Sequence, residues 1–306
     1  MAKLMSKKTK EIVQTVAVLV LIAMFVTFYI VYPLLTVPGM TARSDRDRFD
    51  DPTFAPENDP SFFVNIGLHP DTFAVITEDN IRLAGLYFRP DSSRHKRIRG
   101  TIILLADSDT GRTAFSSYIV PLLDSGLAVA IYDQRATGLS GGQYRAAGVY
   151  EADDLIEVIA YLKLHGKLLP PLIAAGFGLG ADAVINASAK EIKIDQILAI
   201  DPNLTANRWI DKTKEKNGSW SIPLYRMVYF WWYRKLSGHA LERTGTDKIA
   251  AVTGKTILMM NQDDLNGKEV ARFETISGDK VSISARPVDQ QELRTFILNS
   301  TYAATK

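Results

Sequence analysis

No charged residue occurs between Ile12 and Leu35. A helix of that length crosses a hydrocarbon layer of about 30 Å. Lys3, Lys7, Lys8 and Lys10 precede the run, and basic flanks stay on the cytoplasmic side, so everything beyond Pro38 is predicted to lie outside the cytoplasm. Tyr29 and Tyr32 fall near the far end, where aromatic rings favour the interface. A cleaved signal peptide fits less well, because the run is long and no Ala-x-Ala-like site follows it. A buried core helix fits less well again, because the run has no polar face. The expected organisation is a basic cytoplasmic tail (1–11), a single transmembrane anchor (12–35), a juxtamembrane linker (36–70) and one domain (71–306). The linker reading rests on Arg43 to Pro60, a stretch rich in Asp, Arg and Pro with no apolar period.

The 306 residues allow one large α/β domain plus appendages, and 46% hydrophobic residues supply a sizeable core. The 36 basic and 34 acidic residues nearly cancel, which gives no electrostatic reason to expect nucleic acid as a partner. Cysteine is absent. That removes disulfides, Cys-ligated zinc and a Cys nucleophile, and suits a domain facing the periplasm from a bacterial inner membrane. No cofactor and no metal site are expected.

Phe73–Thr77 and Ile81–Phe88 read as strands joined by the turn residues Glu78-Asp79-Asn80. Thr101–Leu105, Leu127–Tyr132 and Leu172–Ala175 are short apolar runs of the kind buried on both faces of a sheet. Further strands are expected at Ile197–Ile200, Thr256–Met260 and Val281–Ser284. Helices are expected at Thr113–Asp124, Glu151–His165, Ala181–Ala189 and Asp289–Leu298. A hairpin followed by alternating strands and helices implies a mostly parallel sheet with helices on both faces. Ligands of such sheets bind at the carboxyl ends of the strands.

Three segments carry a resemblance. Thr77 to Gly85 resembles an opening hairpin of the α/β-hydrolase superfamily. Asp133-Gln134-Arg135-Ala136-Thr137-Gly138-Leu139-Ser140 resembles its Asp-x-Arg-Gly-x-Gly-x-Ser loop, with Ala136 replacing the first glycine. Gly176-Phe177-Gly178-Leu179-Gly180 is similar to its nucleophile elbow, Gly-x-Ser-x-Gly, with glycine at the nucleophile position. The resemblance implies an α/β-hydrolase-like sheet with a cap inserted at about 202–253. A dinucleotide-binding Gly-x-Gly-x-x-Gly loop is the weaker reading, because its third glycine is misplaced.

The resemblance also implies a catalytic order of nucleophile, acid and histidine, and this chain departs from it. Gly178 offers no oxygen. Asp263 or Asp264 matches the acid by position, although Asn261-Gln262-Asp263-Asp264 also reads as a polar turn. Histidine occurs only at 69, 95, 165 and 239, so none follows the last expected strand. After the third strand, where many relatives carry His-Gly, the chain has Ala106-Asp107-Ser108-Asp109. A carboxylate there opposes a developing oxyanion.

The insertion holds all four tryptophans, Trp209, Trp220, Trp231 and Trp232. It reads as a cap packed on the sheet, as the lining of an apolar pocket, or as a surface touching the bilayer or a membrane partner. Ala106, Asp107, Ser108, Phe177, Gly178, Leu179, Trp231 and Trp232 are the candidate pocket residues. Asp107, Asp109, Asp133, Asp201, Asp263 and Asp264 fall at expected strand ends, either as turn carboxylates paired with Arg112 and Arg135 or as a cation site. The functional expectation is a membrane-tethered, catalytically degenerate hydrolase-like protein that binds a small apolar ligand or a protein partner at the envelope. The alternatives are an active hydrolase centred on Asp or Ser108, and a structural subunit of a membrane complex.

Overall fold

The computed structural model describes residues 7–34, 37, 60–95, 97–107, 111–190, 192–216, 224–238, 254–260, 281–285, 295 and 297–300. Eight strands form one sheet: β1 (Asp71–Ile76), β2 (Arg82–Phe88), β3 (Gly100–Leu105), β4 (Leu127–Tyr132), β5 (Leu172–Phe177), β6 (Gln196–Ile200), β7 (Lys255–Met260) and β8 (Val281–Ala285). Their spatial order is β1-β2-β4-β3-β5-β6-β7-β8. β1 and β2 form an antiparallel hairpin, and β2 pairs antiparallel with β4. From β4 to β8 every pairing is parallel.

Successive side chains of a strand point to opposite faces, and both faces are covered, so β3 and β4 are buried at every position. Leu83, Tyr87, Ile103, Leu105, Ala128, Ala130 and Ala174 face one core. It is closed by α4 (Tyr150–Leu164) and α5 (Leu179–Ser188) through Leu155, Val158, Leu162 and Val184. Leu86, Phe88, Ile102, Leu104, Val129 and Ile131 face the other. It is closed by α3 (Ser116–Asp124) through Tyr118, Ile119 and Leu122, and by Ile297 of the helical residues 297–300.

The linker is more structured than its composition implies. Pro60–Asn65 forms a short helix, α2, whose buried Phe63 meets Phe88 edge-on at 5.3 Å. The apolar pair Phe62-Phe63 amid polar residues was the available signal. The expected helix at Thr113 begins instead as a 3-10 turn, Arg112–Phe115. Residues 289–294 and 296 of the expected last helix lie outside the described residues.

The Asp133–Ser140 loop is built around buried charge. Arg135 grips Asp154 with two bonds of 2.7 and 2.6 Å and reaches Asp79 at 2.9 Å. Burial opposes its charge, but the bonds and charge of Asp154, then Glu151 and Asp79, outweigh that and hold its pKa above the ordinary value. Asp133 lies beside Arg112 at 3.6 Å and accepts the Leu139 N–H at 2.9 Å. Ala136 takes the left-handed φ of 57°. That is the reason a glycine suits this position in the loop it resembles.

At the amino end, α1 (Lys7–Val26) continues through a π turn, Thr27–Val31. The helical stretch from Lys7 to Leu34 contains an 18-residue window with a mean hydropathy of 2.5, and it is long and apolar enough to cross a membrane. Between β6 and β7 lie α6 (Ala206–Lys216) and α7 (Tyr225–Ser237), the described helices of the segment expected as a cap. Val37, just beyond α1, is buried among Ala146, Trp209, Ile210, Tyr229, Phe230 and Tyr233. The Trp232 indole donates to the Tyr29 carbonyl at 3.1 Å.

Candidate functional site

β5 delivers the chain to Gly178 at the carboxyl edge of the sheet, and α5 leaves from there. Gly178 has φ 51° and ψ −113°, a conformation strained for any residue with a Cβ. Its N–H donates to the Ile200 carbonyl at 2.8 Å. The flanking glycines are required by packing. A Cβ on Gly176 would overlap the Gly180 backbone, and one on Gly180 would stand 2.5 Å from the Leu105 carbonyl and 2.7 Å from that of Ala106. The end of β3 is therefore pressed against the elbow, which places Asp107 over it.

The Asp107 carboxylate fills the space that glycine leaves. A Cβ built at residue 178 would overlap it, with even the farther oxygen only 2.5 Å away. Asp107 Oδ1 accepts the Leu179 N–H at 2.9 Å. Leu179 opens α5, and the first N–H groups of a helix have no intrahelical acceptor and carry partial positive charge. A carboxylate is thus the stabilising occupant. The Ala106 carbonyl, which accepts from the Gln134 side-chain amide, holds the segment before Asp107 in place.

One turn into α5, Asp182 is buried. It accepts the Leu204 N–H at 2.7 Å, and the Asn203 N–H and side-chain amide at 3.1 and 2.7 Å. It ties the elbow helix to the loop that leads from β6 into the cap. Burial pushes its carboxyl up to about 7 against those three donors, and the charge of Asp107 pushes the same way. Sequence reading took Asp182 as part of a small-residue helix and missed this role. Its isolation within Ala181-Asp182-Ala183-Val184-Ile185 was the signal.

The structure brings together Ala106, Asp107, Phe177, Gly178 and Leu179. Phe177 packs on Phe115 and Tyr118, with ring centroids 5.5 and 6.1 Å apart. Trp231 and Trp232 belong instead to the junction between cap and α1. They meet edge-to-face at 5.0 Å, with Trp231 54% exposed and Trp232 bonded to Tyr29. Ser108, Asp109, Asp263, Asp264, Trp220 and His239 lie outside the described residues. Of the rim carboxylates, Asp133 pairs with Arg112 as the turn-carboxylate reading expected, while Arg135 turns inward to Asp154 and Asp79. His165 stacks on Tyr161 at 3.9 Å. His69 and His95 line an open cavity of about 300 Å³ with Arg89, Arg94, Asp91 and Asp124. That cavity lies at the edge where the parallel strands begin, since β2 ends there beside the start of β4.

Two outcomes follow. Gly178→Ala forces the Asp107 carboxylate off Leu179 and also strains the backbone. It is expected to lower stability by about 2–4 kcal/mol, the sum of strain and a lost helix cap. After Asp107→Gly, the same change is expected to cost about 1 kcal/mol less. Urea unfolding of the four variants measures this coupling, and simple additivity would contradict the contact. The second outcome concerns pH. Asp182 keeps in the native state a proton that the unfolded chain releases above about pH 4. Its contribution is full below that pH and is lost as pH rises through 7. The stability difference between wild type and Asp182→Asn is therefore expected to move against the wild type from pH 5 to pH 8. A flat or opposite trend would contradict the burial-dominated carboxyl.

No sequence-family model and no curated protein sequence matches the chain. Solved structures do match it. A Pyrococcus furiosus esterase superposes with a TM-score of 0.61 at 20% identity, covering 80% of this chain and 96% of the esterase. A 2,6-dihydroxy-pseudo-oxynicotine hydrolase gives 0.58 at 12% identity, covering 78% of this chain and 69% of the hydrolase. The proline iminopeptidase of Mycobacterium smegmatis gives 0.53 at 13% identity, covering 77% and 99%. At these identities the likeness speaks for architecture alone: with this strand order, the antiparallel start and the strand-turn-helix at Gly178, the chain has the α/β-hydrolase fold.

Proposed function

We propose that this chain is a membrane-tethered, non-hydrolytic protein of the α/β-hydrolase fold that acts by binding at the cell envelope. Of the two ligand classes the sequence admitted, a protein partner is favoured over a small molecule at the elbow. One observation carries this reading. The Asp107 carboxylate occupies the space over Gly178 and takes the Leu179 N–H, the donor that would otherwise face a reacting carbonyl oxygen. Nucleophile and oxyanion positions are filled together by one anionic side chain.

Hydrolysis through a serine in this fold draws about 10²–10³ in rate from an oxyanion donor and about 10²–10⁴ from a general base. Among the described residues, neither contribution has a source at this elbow. The tether belongs to the same proposal and rests on the apolar helix at the amino end, with orientation from the lysines that precede it.

A second reading is supported by the activities of the esterase and hydrolase neighbours and by the placement of Asp107, which holds an oxygen near the position of the missing hydroxyl. In that reading Asp107 is itself the nucleophile. Its difficulty is electrostatic, because the attacking carboxylate already uses the N–H that would stabilise the oxyanion it creates.

One assay separates the two. The purified full chain is expected to show no labelling by a fluorophosphonate probe and no turnover of short-chain aryl esters above buffer. Gly178→Ser is expected to gain almost nothing, because the parts of such a site act as a unit. Turnover that survives Gly178→Ala and disappears in Asp107→Asn would replace the non-hydrolytic reading with the second one.

A further inference from the structure

The buried face of α7 carries Tyr229, Phe230 and Tyr233. Its opposite face carries a row of exposed residues. Leu224 at the helix start is 66% exposed, Met227 53% and Trp231 54%. Met227 and Trp231, four residues apart, share one side of the helix, and Leu224 precedes its first turn as the N-cap. The row continues into Arg234 and Lys235, and the Lys235 ammonium stands 5.7 Å from the centre of the Trp231 ring. An apolar half followed by a basic half is the pattern of a helix lying in a membrane interface, where apolar groups enter the acyl boundary and cations meet anionic headgroups. An exposed cluster of this kind in a folded domain calls for an occupant.

The position of α7 identifies that occupant. Trp232, next to Trp231, donates its indole N–H to the Tyr29 carbonyl. This bond holds the cap beside the outer end of the span. Val37 buries itself under the same helix, which holds the chain against the cap as it leaves the span.

We propose that the Leu224–Met227–Trp231 face of α7 is seated in the outer headgroup layer of the bilayer that α1 crosses, with Arg234 and Lys235 toward anionic lipid. The inference rests on the tether of the proposed function. The cap is then a second membrane contact that holds the domain at a fixed orientation, leaving other faces for a partner.

The absence of cysteine makes the test clean. Three single-cysteine variants of the full chain, Leu19→Cys, Met227→Cys and Leu164→Cys, are labelled with an environment-sensitive thiol fluorophore. They are reconstituted into vesicles of phosphatidylcholine and phosphatidylglycerol containing spin-labelled lipid. Leu164 is the control, 83% exposed at the end of α4. Quenching at 19 and 227 with none at 164 is the expected result. Quenching at 19 alone would overturn the seating of the cap while leaving the tether intact. Quenching at all three sites would mean unspecific adsorption and would also overturn it. No quenching at 19 would remove the tether, and the inference with it.

Discussion

The bond from the Leu179 N–H to Asp107 organises the carboxyl edge of this sheet. The start of α5 offers N–H groups that its own helix leaves without acceptors, and the dipole makes that place favourable for negative charge. In a hydrolase of this fold the same property serves a transient oxyanion. Here a permanent carboxylate from the end of β3 takes it. The exchange requires glycine at 178, because any side chain there would collide with the carboxylate. Gly178 and Asp107 are thus one structural decision made at two positions. The strained conformation of the elbow is kept with glycine at its centre.

That decision extends outward through Asp182. The Asp107 charge adds to the burial that raises the Asp182 carboxyl, and Asp182 holds the loop entering the cap through Asn203 and Leu204. The cap in turn reaches Tyr29 and Val37 at the end of α1. A continuous set of contacts therefore runs from the elbow to the helix at the amino end. In an active hydrolase a cap commonly governs access to the site. Here the space at the elbow is taken by the Asp107 carboxylate, and the cap is bound to the apolar helix at the amino end.

Much of the fold was legible because buried parallel strands have a strong signature. The apolar runs at Thr101–Leu105, Leu127–Tyr132 and Leu172–Ala175 became β3, β4 and β5, within a residue or two at each end. The glycine spacing at 176, 178 and 180 marked a tight strand-to-helix turn, and Asp107 was legible as a departure in charge. What could not be read was where its carboxylate goes, because that depends on β3 and β5 being neighbours rather than on any local pattern. The same limit hid Trp232. Its partner Tyr29 is distant in sequence, and no local pattern joins the two. Trp231 and Trp232 read as pocket lining because their aromaticity was visible and their direction was not. Nor does the sequence show that Glu151 and Asp154, at the start of α4, are buried and serve the loops before the helix.

Amide hydrogen exchange at Leu179 tests the central claim most directly. As the first residue of α5, Leu179 has no intrahelical acceptor for its N–H, so its protection reports on Asp107. In the full chain the Leu179 amide is expected to exchange slowly, and in Asp107→Ala to exchange much faster while the amides in the middle of α5 stay protected. A Leu179 amide whose exchange is unchanged by Asp107→Ala would contradict the account, because the carboxylate would then not be the group that occupies the elbow.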